Sequence, residues 1–549
     1  MVHIKIEQIS SLEKVFLDFA GAQRQEKLLA CGGEVVSYQI AYTANLEGGY
    51  RKIDAEYRIE SPLAECIHAY KVANVPSELP AYPDQNDAYY ITTKPGLFPD
   101  PLFLTEDGEL DIMPGLWHAL WIEVNVPAGY PAGEYPVTVW IECEGEAVSD
   151  TMRISVLGAD LPKQKLKCTQ WFHVDCIADV HHVEIFSEPH WALIQKYMKM
   201  AAEHGINMLL TPVLTPPLDT RKGGERPTVQ LAEITKKGDT YSFDFTRLER
   251  YIAMAQECGI QFFEINQMFT QWGAHAAPKV VANVDGEYKR IFGWDTPAQS
   301  QEYKAFLGAL LPALVHFFDE RGMQEQIVFH VSDEPNSEHQ ESYRTAMQTI
   351  KPLVGSYPIM DALSDFDFWK KGLTEHPVVC TNHIAPFLKS GCRDLWCYYC
   401  CAQCVDVGNR FFAMPSYRNR ILGVQMYKHE IAGFLQWGYN FYYSALSKQL
   451  INPFVTTDAM GAFPSGDAFA VYPWRDDVIP SLRLKVFREA LQDMRLLELA
   501  EQYAGREEVL AMIAETAGEP ITFSAYPHGN EFLFNLRQKA FIMLSKYIH

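Results

Sequence analysis

The feature that most constrains the fold is an alternation of short apolar strands with amphipathic helices, which begins near residue 165. Helical segments such as PHWALIQKYMKMAAEHG and FTRLERYIAMAQECG separate the strands, and both end in glycine, as helix C-termini often do. Eight strand–helix units in about 340 residues predict a (β/α)8 barrel rather than an open sheet. The predicted barrel strands are 167–175, 206–213, 261–269, 327–334, 357–363, 378–384, 395–401 and 433–440.

Residues 1–162 follow a different pattern, in which turn signals such as VPSELPAYPDQND and VPAGYPAGEYP separate short β-type runs. HALWIEVNVP and YPVTVWIECEG alternate apolar and polar residues, as half-buried antiparallel strands do. This pattern predicts a β-sandwich domain. We therefore expect an α/β chain in which this sandwich precedes a (β/α)8 TIM-type barrel over 163–505. A C-terminal helical extension over 506–549 is expected to pack on the barrel.

The charge and the N-terminal sequence restrict the partners and the location. The net charge of −22 argues against binding nucleic acid or an anionic membrane surface, because both favour an excess of Lys and Arg. The start of the chain lacks a basic segment followed by an apolar one, so no signal peptide is expected. No apolar run approaches the roughly 18–20 residues that span a bilayer. The simplest interpretation is a cytoplasmic protein, and the charge leaves a neutral ligand open.

The segment CYYCCAQC (397–404) holds four cysteines and superficially resembles a metal site. It has no glycine for the tight turn that zinc knuckles use, and no second ligand pair follows at a familiar spacing. Its apolar and aromatic residues are typical of a strand. We therefore expect free, mostly buried thiols in a reducing compartment and no metal.

The chemistry of such barrels collects where the strands end, so the side chains at those positions are the candidate ligands. They are acids, amides and aromatics, with little Lys or Arg: His173, Asp175, Thr211, Glu264, Asn266, Asp333, Glu334, Asp361, Asn382, His383, Tyr398, Tyr399, Trp437 and Asn440. No glycine-rich phosphate motif occurs, so no nucleotide cofactor is expected. Aromatic faces and amide groups suit a polar, uncharged ligand with many hydroxyls, such as a sugar.

Each of these residues also has a structural interpretation. His173 and His383 can be hydrogen-bonded barrel residues, and Trp437 can be core packing. Asp175 and Asp361 can cap helices in the strand–helix loops. Asp333 and Glu334 can begin the next helix, near Pro335, where its dipole favours acids.

The adjacent acids Asp333 and Glu334, in IVFHVSDEPN (327–336), point to a particular glycosidase chemistry. Most glycosidases place two carboxylates on opposite sides of the scissile bond, about 5–5.5 Å or 6.5–9.5 Å apart. Adjacent residues instead present both carboxylates along one wall, which suits a substrate whose own 2-acetamido carbonyl attacks the anomeric carbon. One carboxylate then orients the acetamido nitrogen and the other protonates the leaving oxygen. The close neighbour raises the pKa of the acid, as that role requires.

Four ordered motifs resemble glycoside hydrolase family 123 and the related domain family numbered 4091. They are HVSDEPN (330–336), LWCYYCCAQC (395–404), GFLQWGYNFY (433–442) and the stretch from PSGDAFAVYPW (464–474) to the helix that begins SLRLKVFREA (481–490). The N-terminal LWIEVNVPAGYPAGEYPVTVWIE (120–142) is similar to the β-sandwich that accompanies that family. The resemblance spans most of residues 110–500. It implies a retaining exo-β-N-acetylgalactosaminidase with substrate-assisted catalysis, a carbohydrate-metabolism hydrolase.

The resemblance also implies roles for individual residues. Glu334 is expected to be the general acid and base, and Asp333 to orient the acetamido group. Tyr398 or Tyr399 is expected to bind the acetamido carbonyl. Further substrate-binding candidates, from the resemblance and from the strand ends, are His173, Asn382, His383, Trp437, Asn440 and Asp467.

The motifs depart from the family pattern near the pocket, at Cys397, at Gln436 and at Ala402-Gln403. These departures leave the sugar and its linkage open, but they do not touch the acid pair. The expected partner is a small glycoside or oligosaccharide, with no cofactor and no metal; a homo-oligomer is left open.

Three other hypotheses stay open at this point. One keeps Glu334 as the acid but uses Glu264 or Asp361 as a protein nucleophile on another sugar. The second is a non-catalytic, sugar-binding barrel. The third is a metal-dependent hydrolase.

Overall fold

The computed structural model describes residues 2–47, 51–335 and 337–548. Its N-terminal part contains two five-stranded sheets, with strand orders β1-β3-β8-β5-β6 and β2-β10-β9-β4-β7. All neighbours in these sheets are antiparallel except the pair of β2 and β10. The strands are β1 (Val2–Ser10), β2 (Lys27–Gly32), β3 (Glu34–Leu46), β4 (Ile53–Glu60), β5 (Ile67–Ser77), β6 (Gly96–Thr105), β7 (Glu109–Ile112), β8 (His118–Val126), β9 (Gly133–Cys143) and β10 (Glu146–Asp160).

The two N-terminal sheets share one hydrophobic core. Tyr38 and Ile40 of β3 belong to the same buried cluster as Val137 and Val139 of β9. The expectation of half-buried strands holds for β9, where buried and exposed positions alternate. It is wrong for β8, which is buried on both faces because a long helix of the barrel region covers its outer side.

The rest of the chain alternates strands with helices. The strands are β11 (Lys167–Gln170), β12 (Met208–Thr211), β13 (Glu233–Lys237), β14 (Thr240–Asp244), β15 (Phe262–Ile265), β16 (Val280–Val284), β17 (Glu287–Phe292), β18 (Ile327–Phe329), β19 (Met360–Ala362), β20 (His376–Cys380), β21 (Trp396–Tyr398), β22 (Gly433–Gln436), β23 (Val471–Trp474) and β24 (Asp477–Pro480). The helices are α1 (Val174–His181), α2 (Glu188–Glu203), α3 (Thr246–Glu257), α4 (Gln301–Asp319), α5 (Gln340–Val354), α6 (Phe366–Lys370), α7 (Ala385–Lys389), α8 (Tyr417–Lys428), α9 (Leu482–Ala504), α10 (Arg506–Ala517) and α11 (Glu531–Leu544).

Eight parallel strands form a nearly closed barrel in the order β18-β15-β12-β11-β22-β21-β20-β19. The two end strands meet through a single parallel bridge between Phe329 and Ile359, and the Phe329 N–H donates to the Pro358 carbonyl. All eight barrel strands predicted from the sequence are present, and the hydrogen-bonded part of each is shorter than the predicted segment; β20 also begins two residues before its predicted start. Because the strands are parallel, their C-terminal ends lie at one end of the barrel.

A four-stranded sheet, β14-β13-β16-β17, was not predicted. Its strands are insertions after β12 and after β15. They carry weak signals because β14 and β17 expose most of their side chains and β13 buries only one of its five. The insertions extend the loops at the C-terminal end of the barrel without changing its eight-stranded order.

Helix α9 connects the barrel region to the N-terminal sheets. Its N-terminus is capped by Ser481, whose side chain accepts from the Leu484 N–H. Arg483 forms a bidentate pair with Asp100 at 2.8 and 2.9 Å, and Arg488 donates to Glu123 of β8 at 2.7 Å. All four side chains are buried, so the two parts of the chain meet through paired charges.

Two general expectations can be compared with the described residues. No helix among them is long and apolar enough to cross a bilayer. The twelve cysteines are all free thiols, and seven of them are buried.

Candidate active site

A small pocket lies at the C-terminal end of the barrel, with a volume of about 150 Å³. Its walls come from the loops after six of the eight barrel strands and include Trp171, Asp219, Gln271, Trp272, Asp333, Glu334, Ala362, Tyr398, Cys400, Cys401 and Trp437. A larger cavity of about 780 Å³ lies at the other end, where Lys167 and Met360 begin their strands. We place the chemistry in the smaller pocket because it contains the acid pair and because barrel enzymes use the C-terminal end.

The acid pair lies four and five residues after the end of β18 and does not begin the next helix. A 3-10 turn at Ser337–His339 precedes α5, and Asn336, the last residue of the HVSDEPN motif, lies outside the described residues. Asp333 is half-buried, whereas Glu334 is exposed at the pocket mouth. Glu334 has a φ of +42°, a left-handed conformation that costs a non-glycine residue about 1–3 kcal/mol.

Two hydrogen bonds hold the strained segment in place. The Tyr398 hydroxyl donates to Glu334 Oε1 at 2.8 Å. The Trp272 N–H donates to the Asp333 carbonyl at 3.0 Å. The strain is therefore maintained by neighbours on both sides of the pair, as is common at functional sites.

The pocket raises the pKa of both acids. For Asp333, loss of hydration raises the pKa well above its usual value, and the charges of Glu334 and Asp361 raise it further. Loss of hydration also raises the pKa of Glu334, although its side chain still reaches solvent, and the hydrogen bond from Tyr398 opposes this shift. The pair therefore takes up its first proton at a higher pH than an ordinary carboxyl group does, and this shift favours the protonated form that a general acid needs.

A buried histidine links the acids beneath the pocket. His330 lies 2.8 Å from Glu264 through Nε2 and 3.2 Å from Asp361 through Nδ1, and all three side chains are fully buried. Burial disfavours the charged imidazole, but the hydrogen bonds to Asp361 and Glu264 raise the pKa of His330 to about 10. His330 is thus an imidazolium that donates to a carboxylate on each side.

Both acids that flank His330 are held in the barrel interior, although Glu264 Oε1 has no hydrogen-bond partner among the described residues. Asp361 Oδ1 accepts from the Val331 N–H at 3.0 Å and the Ser332 N–H at 3.3 Å, and its Oδ2 accepts from the Tyr343 hydroxyl at 2.7 Å. Glu264 accepts from Trp171 Nε1 at 3.1 Å. Asp361 lies within β19 and does not cap a helix, so its cap interpretation is wrong. It instead holds the residues that lead directly into the acid pair.

Tryptophans form much of the pocket wall. Trp171 is 3% exposed and is fixed by Glu264. Trp437 is half-buried, and its Nε1 donates to Asp467 at 2.9 Å. Burial raises the pKa of Asp467 to about 7, and the nearby Arg410 opposes the shift. Asp467 therefore acts on the pocket through the indole that it orients.

His173 also reaches the pocket, as a neutral side chain. Burial and the nearby Arg226 lower the pKa of His173 to about 3. Since a guanidinium only donates, the contact of Arg226 with Nδ1 at 3.3 Å makes Nδ1 the acceptor and leaves Nε2–H to donate to the Trp437 carbonyl at 3.0 Å. Asp175 lies in the first turn of α1 and binds Arg226 at 2.6 Å, so its interpretation as a helix cap is wrong.

The other predicted ligands lie outside the pocket. Asn440 is fully buried and exchanges hydrogen bonds with the backbone of His173 at 2.8 and 3.0 Å. Tyr399 points away from Tyr398, as successive strand residues do, and donates to Asn419 in the core. Asn382 and His383 are exposed, and Asn382 accepts from Gln403 at 3.0 Å.

Several pocket residues had not been predicted. Trp171 stands inside a predicted strand and could have been found by counting the inward-facing positions. Gln271 and Trp272 follow the end of a predicted strand by two and three residues. Asp219 lies in the irregular segment after β12, where no sequence signal marks it. Its N–H donates to Gln271 at 2.6 Å, and burial raises the pKa of its carboxyl.

The described residues contain no group of three or more His, Cys, Asp or Glu side chains placed to hold a metal ion. Cys400 and Cys401 line the pocket as free thiols. The arrangement as a whole is a small aromatic pocket with two adjacent carboxyl groups and a tyrosine on one wall.

Comparison with known proteins gives a family match. The model of the glycoside hydrolase 123 catalytic domain matches residues 171–500. A search of curated proteins finds no significant match.

Comparison with solved structures points the same way. A family 123 glycoside hydrolase from Clostridium perfringens, described in a study of glycolipid glycan hydrolysis, superposes with a TM-score of 0.73 at 13% identity, over 99% of this chain and 98% of that one. A β-glucuronidase from Parabacteroides merdae has a TM-score of only 0.29 at 9% identity, over 91% of this chain and 52% of that one. The first likeness extends over both the N-terminal sheets and the barrel.

Proposed function

The chain belongs to glycoside hydrolase family 123 and hydrolyses glycosides, and from this premise we propose that it is a retaining exo-β-N-acetylgalactosaminidase with substrate-assisted catalysis. The observation that carries this proposal is the adjacent pair Asp333 and Glu334 on one wall of the pocket, both with a raised pKa. We take the nearly closed barrel to be a TIM-type catalytic domain over 163–505, between a β-sandwich domain and a helical extension.

The proposed reaction has two steps. Glu334 protonates the leaving oxygen while the carbonyl oxygen of the substrate's 2-acetamido group attacks the anomeric carbon. Asp333 orients the acetamido N–H and stabilises the positive charge that develops on it. The Tyr398 hydroxyl exchanges its hydrogen bond to Glu334 for one to the acetamido group. Glu334 then removes a proton from a water molecule as the water oxygen attacks the anomeric carbon. This attack opens the cyclic intermediate and gives net retention.

The surroundings of Glu264 and Asp361 support the substrate's own group as nucleophile. A protein nucleophile must reach the anomeric carbon, but both carboxylates are 0% exposed and are hydrogen-bonded to His330. Neither lines the pocket in the described part of the chain. The carboxylates that do line it are Asp219, Asp333 and Glu334.

The size of the pocket supports cleavage at a chain end. Its volume of about 150 Å³ is well below the roughly 300–1,000 Å³ of sites for drug-sized ligands. A single sugar ring fits such a space, whereas several consecutive rings do not. The similar protein from Clostridium perfringens was studied for glycolipid glycan hydrolysis, and we extend to this chain only the idea of a glycan substrate.

The test is a hydrolysis panel of aryl β-glycosides of N-acetylgalactosamine, N-acetylglucosamine, galactose and glucose. Each is measured with and without a thiazoline, which mimics the cyclic intermediate. Turnover of the N-acetylgalactosamine glycoside, blocked by the matching thiazoline, is expected. Turnover restricted to the 2-hydroxy sugars would transfer the nucleophile to the protein and refute the proposal.

A further inference from the structure

The loop after β15 brings an exposed tryptophan to the pocket mouth. Trp272 lines the pocket and remains 44% exposed, whereas Trp171 in the same pocket is 3% exposed. Because hydrophobic and aromatic side chains predominate in the lining of ligand-binding pockets, an exposed indole at the pocket mouth is a candidate contact for a ligand.

The backbone of this loop holds Trp272 in an unfavourable conformation. Three consecutive residues have positive φ values, +56° at Trp272, +115° at Gly273 and +54° at Ala274. A bulky residue in the left-handed region is a genuine outlier and persists only where neighbours enforce it. A Cβ on Gly273 would lie 2.6 Å from His275 and 2.8 Å from His339, so the turn also requires a glycine.

The same loop is bonded to the segment that carries the acids. The Trp272 N–H donates to the Asp333 carbonyl at 3.0 Å, and the Ser332 hydroxyl donates to the Thr270 carbonyl at 2.9 Å. Two hydrogen bonds close the loop on itself: the Thr270 N–H donates to the Ala276 carbonyl at 3.0 Å, and the Ala276 N–H donates to the Thr270 hydroxyl at 3.2 Å. The position of the indole is therefore tied to the position of the acid pair.

The chemistry identifies which part of a substrate meets this indole. In the reaction proposed above, Glu334 gives its proton to the leaving oxygen, so the leaving group lies beside Glu334 at the mouth of the pocket. Glu334 and Trp272 are the exposed pocket residues at this edge of the mouth. The face of an indole suits the C–H face of a sugar ring, and the polar neighbours Asp219 and Gln271 suit its hydroxyls.

We propose that Trp272 forms the binding subsite for the leaving group and that this subsite takes a second pyranose ring. The inference rests on the proposed function, because it uses Glu334 as the acid to define the leaving-group side. It adds a substrate class, an oligosaccharide whose penultimate sugar stacks on Trp272.

The test compares leaving groups on the same terminal sugar. Wild type, Trp272→Ala and Trp272→Phe are assayed on three substrates. One is a disaccharide with terminal β-linked N-acetylgalactosamine, and the other two are the methyl and octyl β-glycosides of N-acetylgalactosamine itself. For Trp272→Ala, kcat/KM on the disaccharide is expected to fall about tenfold, mainly through KM, and to fall much less on the methyl glycoside. Trp272→Phe is expected to recover most of the loss.

The matched control is Trp474→Ala, which removes another exposed tryptophan that is not part of the pocket lining. It is expected to change none of these values.

Binding of the thiazoline, which carries no leaving group, separates the possible failures. Its Kd is expected to stay within twofold in Trp272→Ala, which also shows that the variant is folded. An equal loss of thiazoline affinity would place Trp272 in the first sugar site and overturn the inference. Unchanged disaccharide kinetics, or a loss confined to the octyl glycoside, would overturn it as well. A wild type that neither binds thiazoline nor cleaves any of the three glycosides would refute the proposed function itself.

Discussion

At the scale of single residues, the two acids differ in ways that suit different tasks. Glu334 is exposed at the mouth, where a leaving group would be, and accepts from a tyrosine. Asp333 is half-buried, and its backbone is held by Trp272. Since the two acids have different tasks in the proposed reaction, their substitutions should differ in how the loss of activity depends on the leaving group.

Substitution of Glu334 should be sensitive to the leaving group. Glu334→Gln removes the proton donor, so kcat on a sugar leaving group is expected to fall by about 10²–10⁴-fold. An activated aryl glycoside needs little protonation and should keep partial activity. Asp333→Asn should slow both substrates, because the acetamido nucleophile is then misplaced. Steady-state kinetics on the two substrates measure the difference, and equal, mild effects of both changes would contradict these roles.

Asp219 should influence the pH dependence through its charge. Burial is the main cause of the raised pKa of Asp333; the charges of Glu334 and Asp361 raise it further, His330 opposes them, and the Asp219 carboxylate adds a smaller upward contribution. The reaction needs one proton on the pair, so activity falls as the pH rises through this raised pKa. Asp219→Asn removes a negative charge, lowers the pKa of Asp333 and should move the alkaline limb of kcat/KM to lower pH.

A suitable control for the pH profile is Asp239→Asn. Asp239 lies in the exposed turn between β13 and β14, so its loss changes the net charge without changing the pocket. The control should keep the wild-type profile. A limb that moves to higher pH in Asp219→Asn would show that Asp219 does not act as a nearby negative charge.

At the scale of elements, β18 and β19 are joined mainly by a side chain. Their direct backbone pairing is a single bridge, but Asp361 of β19 accepts from the backbone N–H groups of Val331 and Ser332 just beyond β18. His330 links the same carboxylate to Glu264 of β15. Three strands are thus fixed relative to one another immediately below the acid pair.

We therefore expect Asp361 to be a positioning residue. Asp361→Asn should lower kcat about 10–100-fold with little change in KM, because the acid pair shifts while the sugar pocket remains.

Addition of azide provides the decisive measurement of whether either buried acid is a nucleophile. Glu334→Ala with azide should yield the β-glycosyl azide, whereas Asp361→Ala and Glu264→Ala should yield no α-glycosyl azide. An α-product from either would identify that residue as a nucleophile.

The elements that were predictable from the sequence are those with a strong local pattern. The apolar strands and the glycine-terminated helices gave the eight barrel strands, and the Asp333–Glu334 doublet stood directly at a strand end. The orientation of Tyr398 relative to Tyr399 depends on which face of β21 points inward, which two adjacent tyrosines do not reveal. Asp219 and Trp272 come from irregular loops whose course is set by distant hydrogen bonds. Asn440 looked like a ligand because its hydrogen bonds to the His173 backbone are a tertiary contact.

At the scale of the whole molecule, α9 joins the N-terminal sheets to the barrel region through buried charges. Lys485 and Arg488 each lie 2.7 Å from Glu123 on β8, and Arg483 pairs with Asp100 near β6. Removal of one partner from a buried pair leaves an unpaired charge and typically costs 3–5 kcal/mol. We therefore expect the N-terminal sheets and the barrel to unfold in one transition.

Glu123 makes this interface sensitive to acid. Burial alone would raise its pKa, but Arg488 and Lys485 hold the pKa of Glu123 well below the usual value. A carboxyl group whose pKa is depressed by folding stabilises the protein above its unfolded-state pKa of about 4.3 and loses that contribution as the pH falls further. The free energy of unfolding of the wild type should therefore decrease steeply below pH 5. Glu123→Gln should be about 3 kcal/mol less stable at pH 7 and should show a shallower decrease, so that the two curves converge in acid.

Urea unfolding followed by tryptophan fluorescence at pH 7, 5 and 4 measures both effects. Glu56→Gln, an exposed change on β4, should follow the wild type, and parallel curves for Glu123→Gln and wild type would show that the interface charge does not control the acid response.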